Sequence, residues 1–358
     1  MGTITSQVKK FGNNGSMSRG ASAVSTRQQQ ADVELRVLLL GTAGAGKTTV
    51  FKQLQMLHKS GFTERHRLLY RHVIYFNVNQ IFKELLDGCV QLGIDSSAIE
   101  PQIAEITVYL SKMEGKTQTQ NLSSSHIVEV MKDLWNSSVL QQCFARRNEI
   151  RLLDSCEFFL SELNIIIRMG YSPTTDDILR AYATTIGTDE FVFPFRPGLE
   201  ARLIDVGGLA IARRQWVNYA NNLAAVFYVC DLSGYCRTVE DDGVEKNSLH
   251  HSLAVFKEVE ESPLLKKTPF VVLLNKTDLF DTFLSSLPLS TCMPDFEGPN
   301  DPFSAEAFIR DHFLAAFSRK SAIYIHSTSA INAQGVEKMI IDTMKVVMKK
   351  MKSNQSME

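Results

Sequence analysis

The sequence lacks three features that would mark it as a membrane-spanning or secreted protein. No apolar run approaches the roughly 18 residues that a spanning helix needs, and the N-terminus has no apolar stretch typical of a secretory signal. The six cysteines are scattered without a C-x-x-C pair. We therefore expect a reducing compartment and neither a disulfide framework nor a zinc site.

The chain also lacks an excess of charge of either sign. Its 38 basic and 39 acidic residues leave a formal net charge of -1, so nothing in the overall charge favours nucleic-acid binding. Apolar residues make up 44% of the 358 residues. This composition predicts a globular protein with a real core, and the length is enough for about two domains.

Short apolar runs separated by helical stretches organise most of the chain. Each run ends in a small or polar residue, which is typical of parallel strands buried on both faces. The runs are ELRVLLLG (34–41), ARLID (201–205), AAVFYVCD (224–231), PFVVLLNKTD (269–278) and AIYIHST (322–328). We therefore predict an α/β fold with a doubly wound, mostly parallel sheet. The run EFVFPF (190–195) contains a proline and is predicted to be an edge strand.

Two segments depart from this alternation. Residues 62–178 carry helical periodicity with few strand signals, so we predict an inserted all-helical domain there, flanked by the two parts of the sheet domain at 32–61 and 179–358. Residues 1–31 are poor in large apolar side chains and rich in Gly, Ser, Asn and Gln. We interpret them as a flexible N-terminal arm.

The stretch GTAGAGKTT (41–49) matches the phosphate-binding pattern G-x-x-x-x-G-K-[ST] through Gly41, Gly46, Lys47 and Thr48. Glycines allow backbone N–H groups to converge on phosphate oxygens, and the following helix N-terminus adds a favourable dipole. Lys47 is expected to reach the β- and γ-phosphates, and the Thr48 hydroxyl to hold Mg²⁺.

Two further strand ends carry residues suited to a nucleotide. In NKTD (275–278), the Asp278 carboxylate can accept two hydrogen bonds from guanine, a donor pair that adenine lacks. Asp205 begins DVGG, so its carboxylate can hold Mg²⁺ through water and the Gly208 N–H can meet a γ-phosphate. Thr185 can supply a second hydroxyl to the metal.

Together these motifs resemble the alpha subunits of heterotrimeric G proteins, over about residues 35–350. The helical insert is the most diagnostic feature, and YSPTTDDILRAYATTIG, DVGGLAIARRQW, LLNKTDLF and STSA resemble the family's two switches, guanine motif and guanine loop. The resemblance implies a P-loop GTPase, with a Ras-like GTP-binding domain and an inserted helical domain, that switches between GDP and GTP forms with Mg²⁺. It also implies further nucleotide-binding positions, which are Ala43, Gly44, Ala45, Thr49, Asp154, Ser155, Leu179, Arg180, Lys276, Ser329 and Ala330, and a metal set of Thr48, Thr185 and Asp205.

Three positions depart from the family pattern where hydrolysis is concerned. Leu209 stands where the family has the glutamine that orients the attacking water, and Tyr182 where it has an arginine. Ala43 replaces a glycine near the γ-phosphate. We therefore predict that GTP binding is retained while intrinsic hydrolysis is strongly impaired. His250 or His251 taking over catalysis is the alternative.

The resemblance also implies partners and a location. These are a beta–gamma dimer, a seven-helix receptor, a downstream effector, and the cytoplasmic face of the plasma membrane with a cytosolic fraction. The start MGTITS fits an N-myristoylation pattern at Gly2. The glycine-interrupted arm and the apolar residues of DVGGLAIA fit beta–gamma binding less well. A scaffold that binds effectors without regulated nucleotide turnover is the alternative function.

Overall fold

The computed structural model describes residues 33–58, 61–113, 125–185, 187–241, 243–319 and 321–355. These residues form two compact units. The helical unit comprises Gly61–Ala183 with the short segment Cys236–Thr238. The sheet unit comprises the described part of Thr5–Ser60, with Thr184–Tyr235 and Val239–Glu358. The predicted N-terminal arm and its Gly2 lie outside the described residues.

The strands all belong to the sheet unit apart from the first residue of β5. In chain order the strands are β1 (Val33–Leu40), β2 (Thr188–Arg196), β3 (Leu199–Val206), β4 (Leu223–Asp231), β5 (Thr238–Asp241), β6 (Val244–Asn247), β7 (Phe270–Asn275) and β8 (Ile323–Thr328).

The α-helices are divided between the units. In chain order they are α1 (Lys47–His58), α2 (Glu64–Gln91), α3 (Glu100–Met113), α4 (Ser125–Asn136), α5 (Ser138–Ala145), α6 (Cys156–Ser161), α7 (Leu163–Ile166), α8 (Thr175–Arg180), α9 (Ala210–Arg213), α10 (Ser248–Glu260), α11 (Thr277–Leu284), α12 (Pro302–Ala316) and α13 (Ala333–Gln355).

The main sheet has six strands in the order β2-β3-β1-β4-β7-β8. Every neighbouring pair is parallel except β2 with β3, which is antiparallel. The predicted mostly parallel sheet is thus confirmed, and β2 lies at its edge as expected, where Pro194 needs no ladder donor. Because β1, β3, β4, β7 and β8 run the same way, their carboxyl ends meet at one edge of the sheet.

Helices cover the sheet because its strands are apolar on both faces. All nine residues of β4 are buried. Helix α13 places Val336, Ile340, Met344 and Val347 in the same core as β1 and α1, as its helical spacing predicts. The fifth member of that predicted stripe, Met351, has a side chain outside the described set. On α10 and α12, Phe256 and Phe313 pack edge to face.

The helical unit has its own core, built around the 28-residue helix α2. This helix starts at a capping box in which the Thr63 hydroxyl accepts from the His66 N–H and the His66 ring accepts from the Thr63 N–H. Its fully buried side chains Ile74, Val78, Phe82 and Leu85 recur at helical spacing. They share one core with residues of the helices from α3 to α7.

Strands β5 and β6 form a separate two-stranded sheet that the sequence analysis did not anticipate. Each strand has only four residues, and the strands have little apolar content to reveal them. The hairpin leads directly into α10, whose first turn is capped by the Asn247 side chain accepting from the Leu249 and His250 N–H groups. This hairpin positions Asp241 next to the site described below.

Candidate nucleotide-binding site

The loop between β1 and α1 (residues 41–46), called the phosphate loop here, is shaped by glycines at its two ends. Gly46 has a φ of +101°, and a Cβ added there would lie 2.1 Å from Nδ2 of Asn275. Gly41 has a φ of +139°, and a Cβ there would lie 2.2 Å from the Val229 carbonyl oxygen. Both the backbone conformation and the close neighbours exclude a side chain, so the glycines of the motif are required by geometry.

Lys47 is the first residue of α1 and is only 5% exposed. Its Nζ donates hydrogen bonds to the Gly41 and Thr42 carbonyl oxygens at 3.0 and 2.8 Å. Burial lowers the pKa of Lys47 to about 8, an effect that the nearby Asp205 carboxylate opposes. The group therefore still carries its charge at neutral pH, and a phosphate nearby would favour that charged form further.

Three oxygen-bearing side chains meet beside this loop. The Thr48 hydroxyl donates to Oδ2 of Asp205 at 2.8 Å, and the Thr48 and Thr185 hydroxyl oxygens are 2.8 Å apart. Asp205 is fully buried, and its Oδ1 has no hydrogen-bond partner among the described residues. Burial raises the pKa of Asp205 to about 6, although Lys47 and the Thr48 hydrogen bond oppose the rise.

This set of atoms fits Mg²⁺ better than a transition metal. Hydroxyl and carboxylate oxygens are the hard ligands that Mg²⁺ prefers, and Mg²⁺ commonly takes one or two protein carboxylates and completes its shell with phosphate and water. No cluster of three or more His, Cys, Asp or Glu side chains suited to a metal occurs in the described part of the chain. The buried, unpartnered Oδ1 of Asp205 is consistent with a cation there, since such an atom is costly in isolation.

Asn275, at the end of β7, connects two loops at the edge of the sheet. It is 1% exposed, its Nδ2 donates to the Ala45 carbonyl oxygen at 2.8 Å, and its Oδ1 accepts from the Ala330 N–H at 2.9 Å. The Ala330 carbonyl oxygen accepts in turn from Gln53 at 3.0 Å. One amide side chain therefore connects the phosphate loop to the loop after β8, which also contains Ser329.

The two residues that complete the guanine motif lie at the start of α11. Lys276 has a φ of +64°, a left-handed conformation that is uncommon outside glycine. Its Nζ lies 2.7 Å from Oδ2 of Asp231 at the end of β4, and Ser233 donates to the other carboxylate oxygen at 2.6 Å. Asp278, in the first turn of α11, has an exposed side chain.

The DVGG segment lies directly against the phosphate loop. A Cβ added to Gly208 would be 2.5 Å from the Ala43 nitrogen and 2.6 Å from Nζ of Lys47. Only glycine allows this close approach at position 208. Gly44 differs, because it is the most exposed residue of the phosphate loop and a Cβ added there would have no neighbour within 4 Å. The next residue, Leu209, projects an aliphatic side chain that is 44% exposed. Thr49, in the first turn of α1, is half-buried.

The remaining predicted site residues belong to the helical unit. Asp154 forms an ion pair with Arg237, Ser155 is nearly buried just before α6, and Leu179 is buried in α8. Nη1 of Arg180 lies 2.8 Å from Oδ1 of Asp176. The Arg180 guanidinium also stacks 4.3 Å above the centre of the Phe158 ring.

Tyr182 is held by its backbone and not by its side chain. Its N–H donates to Oδ1 of Asn77 at 2.8 Å, and its carbonyl oxygen accepts from Nδ2 of the same asparagine at 2.8 Å. Asn77 is fully buried in α2, whereas the tyrosine is 40% exposed. The segment is thus fixed in place while the side chain at the position of the family arginine is left exposed.

Several residues of this region were not singled out by the sequence analysis. Asn77 carried no signal, since it is one polar residue in a helical pattern. Asp231 could have been found, because it is the last residue of a buried apolar strand, much as Asp205 is the last but one residue of β3. Asp241, which contacts Arg213 and His251, could not, because it lies in the hairpin that the sequence did not reveal.

The fold and this site define a P-loop nucleotide-binding protein. A glycine-shaped loop leads from a central strand into a helix, a buried lysine lies at its end, and a hydroxyl–carboxylate set lies beside it. The polar ends of β3 and β7 lie at the same sheet edge, where ligands of doubly wound folds bind.

Comparison with known proteins gives the family. The model of the G-protein alpha subunit family matches residues 14–347. The chain is 31% identical over 311 residues to the guanine nucleotide-binding protein G(o) subunit alpha of Caenorhabditis elegans, covering 86% of each chain. It is 31% identical to the human guanine nucleotide-binding protein subunit alpha-15, covering 88% of this chain and 87% of the relative. This chain belongs to the G-protein alpha subunit family.

Family membership establishes the general properties of the chain. G-protein alpha subunits bind guanine nucleotides, are GTPases and act in signal transduction, and identities near 30% make this chain a divergent member. No helix within the described ranges is long and apolar enough to cross a membrane.

Proposed function

We propose that this protein binds GTP and GDP with Mg²⁺ and hydrolyses GTP very slowly. The observation that carries the proposal is a contrast at Gly208. Gly208 lies close to the buried Lys47, and the hydroxyl of the neighbouring Thr48 bonds to Thr185 and Asp205. The residue that follows Gly208 in the chain, Leu209, has only an aliphatic side chain. The groups suited to holding a triphosphate are retained, while a group suited to orienting water is missing.

Each retained residue has a defined part in nucleotide binding. Lys47 supplies a positive charge to the phosphates, and the Thr48, Thr185 and Asp205 oxygens supply ligands for Mg²⁺, which when bound would offset the charge on the phosphates. Asp278 supplies the exposed carboxylate that selects guanine. The buried Asn275 holds the two loops around the nucleotide in register.

The substitutions at the hydrolysis positions remove the positive charge of the family arginine and the hydrogen-bonding amide of the family glutamine. In GTPases generally, an arginine acting on the transition state is worth about 10³ to 10⁵ in rate. Tyr182 can donate a hydrogen bond but carries no positive charge. Leu209 can neither donate to water nor accept from it. Ala43 adds a methyl group in a loop whose backbone is in close contact with Gly208.

The two histidines that could have replaced these groups are engaged elsewhere. Nε2 of His250 lies 3.6 Å from Sγ of Cys292, and Nε2 of His251 lies 3.4 Å from Oδ2 of Asp241. Neither contact involves Thr48, Thr185 or Asp205. These contacts support impaired hydrolysis over a substitute histidine base.

We further propose the partners that the family implies: a seven-helix receptor, a downstream effector, and the membrane surface through a myristoyl group on Gly2. Of the family's partners, the beta–gamma dimer is the one that the residues of this chain favour least. An exposed apolar surface after DVGG supports a downstream effector as the protein partner. Leu209, Ile211 and Val217 are exposed large apolar side chains there, and Ile211 is 80% exposed. Location at the cytoplasmic face of the plasma membrane follows from the lipid proposal.

Two measurements test the nucleotide proposal. Purified protein is extracted and its bound nucleotide is identified, and GTP-loaded protein is then followed through a single turnover with Mg²⁺. We expect guanine nucleotide to be retained and GTP to decay far more slowly than in an ordinary alpha subunit assayed alongside. An ordinary decay rate would contradict impaired hydrolysis, and protein free of guanine nucleotide would favour the scaffold alternative.

A further inference from the structure

The carboxylate at the end of β4 forms an ion pair with the lysine of the guanine motif. Oδ2 of Asp231 lies 2.7 Å from Nζ of Lys276, and its Oδ1 accepts from the Ser233 hydroxyl at 2.6 Å. The aspartate side chain is 11% exposed and the lysine side chain 14%, and Ser233 is fully buried. The proposed function gives Asp231 no part, although both of its oxygens are bonded at the sheet edge that carries the site.

The pairing of β4 with β7 explains why these two side chains meet. Asp231 and Asn275 are partners in the parallel register of the two strands, so Lys276 follows directly after the residue opposite Asp231. A buried ion pair contributes little net stability compared with apolar side chains of similar volume, but it fixes its two partners relative to each other. The position imposed on Lys276 is therefore a better explanation of the pair than stability.

The start of α11 depends on the conformation of Lys276. Its φ of +64° is uncommon for a residue with a side chain, and such a backbone persists only where the surrounding contacts hold it. Its carbonyl oxygen accepts the first hydrogen bond of α11, from the Phe280 N–H at 2.9 Å. Asp278 is the second residue of that helix. A rotation at Lys276 therefore changes the direction in which the Asp278 carboxylate projects.

We propose that Asp231 is a positioning residue for base selection: through Lys276 it fixes the first turn of α11, and with it the carboxylate of Asp278. This inference rests on the proposed binding of guanine nucleotides. Asp278 selects guanine by accepting from its N1–H and 2-amino donors, and hydrogen bonds weaken when donor and acceptor are misaligned. Asp231 therefore controls how strongly guanine is preferred over a base that lacks one of these donors.

The test compares the binding of GDP with that of inosine diphosphate, whose base lacks the 2-amino group, in the presence of Mg²⁺. In the wild type we expect GDP to bind about 30-fold more tightly, since one hydrogen bond to a charged group is lost with the other nucleotide. Asp231→Ala should reduce this ratio about 5-fold or more, because a misdirected carboxylate weakens GDP binding more than inosine diphosphate binding. A variant that had only lost stability would bind both nucleotides less in proportion, and its ratio would not change.

Further variants test whether Asp231 acts through Lys276. Lys276→Met alone should reduce the ratio, and adding Asp231→Ala to it should change the ratio little further, because the two residues act as one pair. Asp231→Asn keeps the shape of the side chain and removes its charge, so its ratio should lie between those of the wild type and Asp231→Ala. The matched control is Asp342→Ala, which removes the carboxylate of an exposed lysine pair and should keep the wild-type ratio.

Contrary results separate this inference from the proposed function. A wild type that binds neither GDP nor a GTP analogue would overturn the proposed function. If the wild type binds guanine nucleotides, the inference is wrong when a folded Asp231→Ala keeps the wild-type ratio, or when the wild type itself does not prefer GDP to inosine diphosphate. If Asp231→Ala does not fold, an unchanged ratio in Asp231→Asn overturns it. An unchanged ratio in Lys276→Met overturns it in either case.

Discussion

The positions proposed for binding and those proposed for hydrolysis differ in how the fold surrounds them. Lys47, Asp205 and Asn275 are 5%, 0% and 1% exposed, and each bonds to another part of the site. Leu209 and Tyr182 are 44% and 40% exposed. The positions proposed for binding therefore also contribute to the packing of the sheet edge. The positions proposed for hydrolysis carry exposed side chains, which can change without loss of packing.

This difference gives a physical reason why a chain could keep a nucleotide site and lose hydrolysis, as we propose for this protein. Replacing a buried, bonded residue leaves unpaired polar atoms, which typically costs about 1 to 3 kcal/mol for each group. Replacing an exposed side chain usually changes stability by about 0.5 kcal/mol or less. The fold thus constrains the positions proposed for binding more than those proposed for hydrolysis.

Restoring the hydrolysis positions should produce the largest effect. Leu209→Gln with Tyr182→Arg returns a water-orienting amide and a positive charge, so single-turnover hydrolysis should accelerate about 10³-fold or more. The measurement is GTP decay in preloaded protein with Mg²⁺. Ile211→Gln, which adds an amide at an exposed neighbouring position, is the matched control. An unaccelerated double variant would mean that Ala43 or the backbone limits the reaction.

Removing the buried lysine should weaken binding next most strongly. Lys47→Ala takes away the positive charge proposed to face the phosphates, and we expect guanine nucleotide affinity to fall about 100-fold or more. Equilibrium titration with GDP and with a GTP analogue measures this loss. The exposed Lys257→Ala should bind as the wild type does. Equal affinities in the two variants would place the nucleotide elsewhere.

The protonation of Asp205 should make stability depend on pH in protein without metal or nucleotide. Its pKa is raised from 3.8 to about 6, so folding favours the neutral carboxyl. The free energy of unfolding should therefore fall by up to about 3 kcal/mol, relative to Asp205→Asn, as the pH rises from about 4 through 6. Denaturant unfolding of both proteins measures the difference.

The same unfolding measurement is then repeated in the presence of Mg²⁺ and GDP. Binding of the cation favours the ionised carboxylate, so the ligands should stabilise the wild type more above pH 6 than below it. The same pH slope in the wild type and in Asp205→Asn would show that the buried carboxyl does not titrate as described.

The smallest effect should come from the amide that joins the two loops. Asn275→Ala leaves the Ala45 carbonyl oxygen and the Ala330 N–H without their partner, so the free energy of unfolding should fall by about 2 kcal/mol. Denaturant unfolding at fixed pH measures this change. Asn164→Ala, at an exposed helical position, should cost about 0.5 kcal/mol or less. A similar loss in both variants would argue against Asn275 as a buried connector.

The parts of the site that could be predicted are those encoded over short distances. The phosphate loop places Gly41, Gly46, Lys47 and Thr48 within eight residues, and the buried strands β4 and β7 end in Asp231 and Asn275. The sheet could be predicted because its runs are apolar on both faces. The β5–β6 hairpin could not, because four-residue strands with few apolar side chains carry no periodic signal.

The contacts that combine these parts span long stretches of the chain. The Thr48 to Asp205 hydrogen bond joins positions 157 residues apart, and the Asn275 to Ala45 bond joins positions 230 apart. Arg213 meets Asp241 across 28 residues and through the hairpin that the sequence does not reveal. Periodicity and local motifs describe neighbours in the chain, so they contain no information on such pairs.

The sequence by itself determined which residues stand at the positions proposed for guanine nucleotide binding and for hydrolysis, because each is recognised from a motif a few residues long. Only the tertiary structure decided that Lys47, Asp205 and Asn275 are buried and bonded to other parts of the proposed site, that Leu209 and Tyr182 are exposed, and that Asp241 contacts both Arg213 and His251. The physical reason is that burial and pairing depend on how strands and helices pack, and packing brings together residues that the chain keeps far apart.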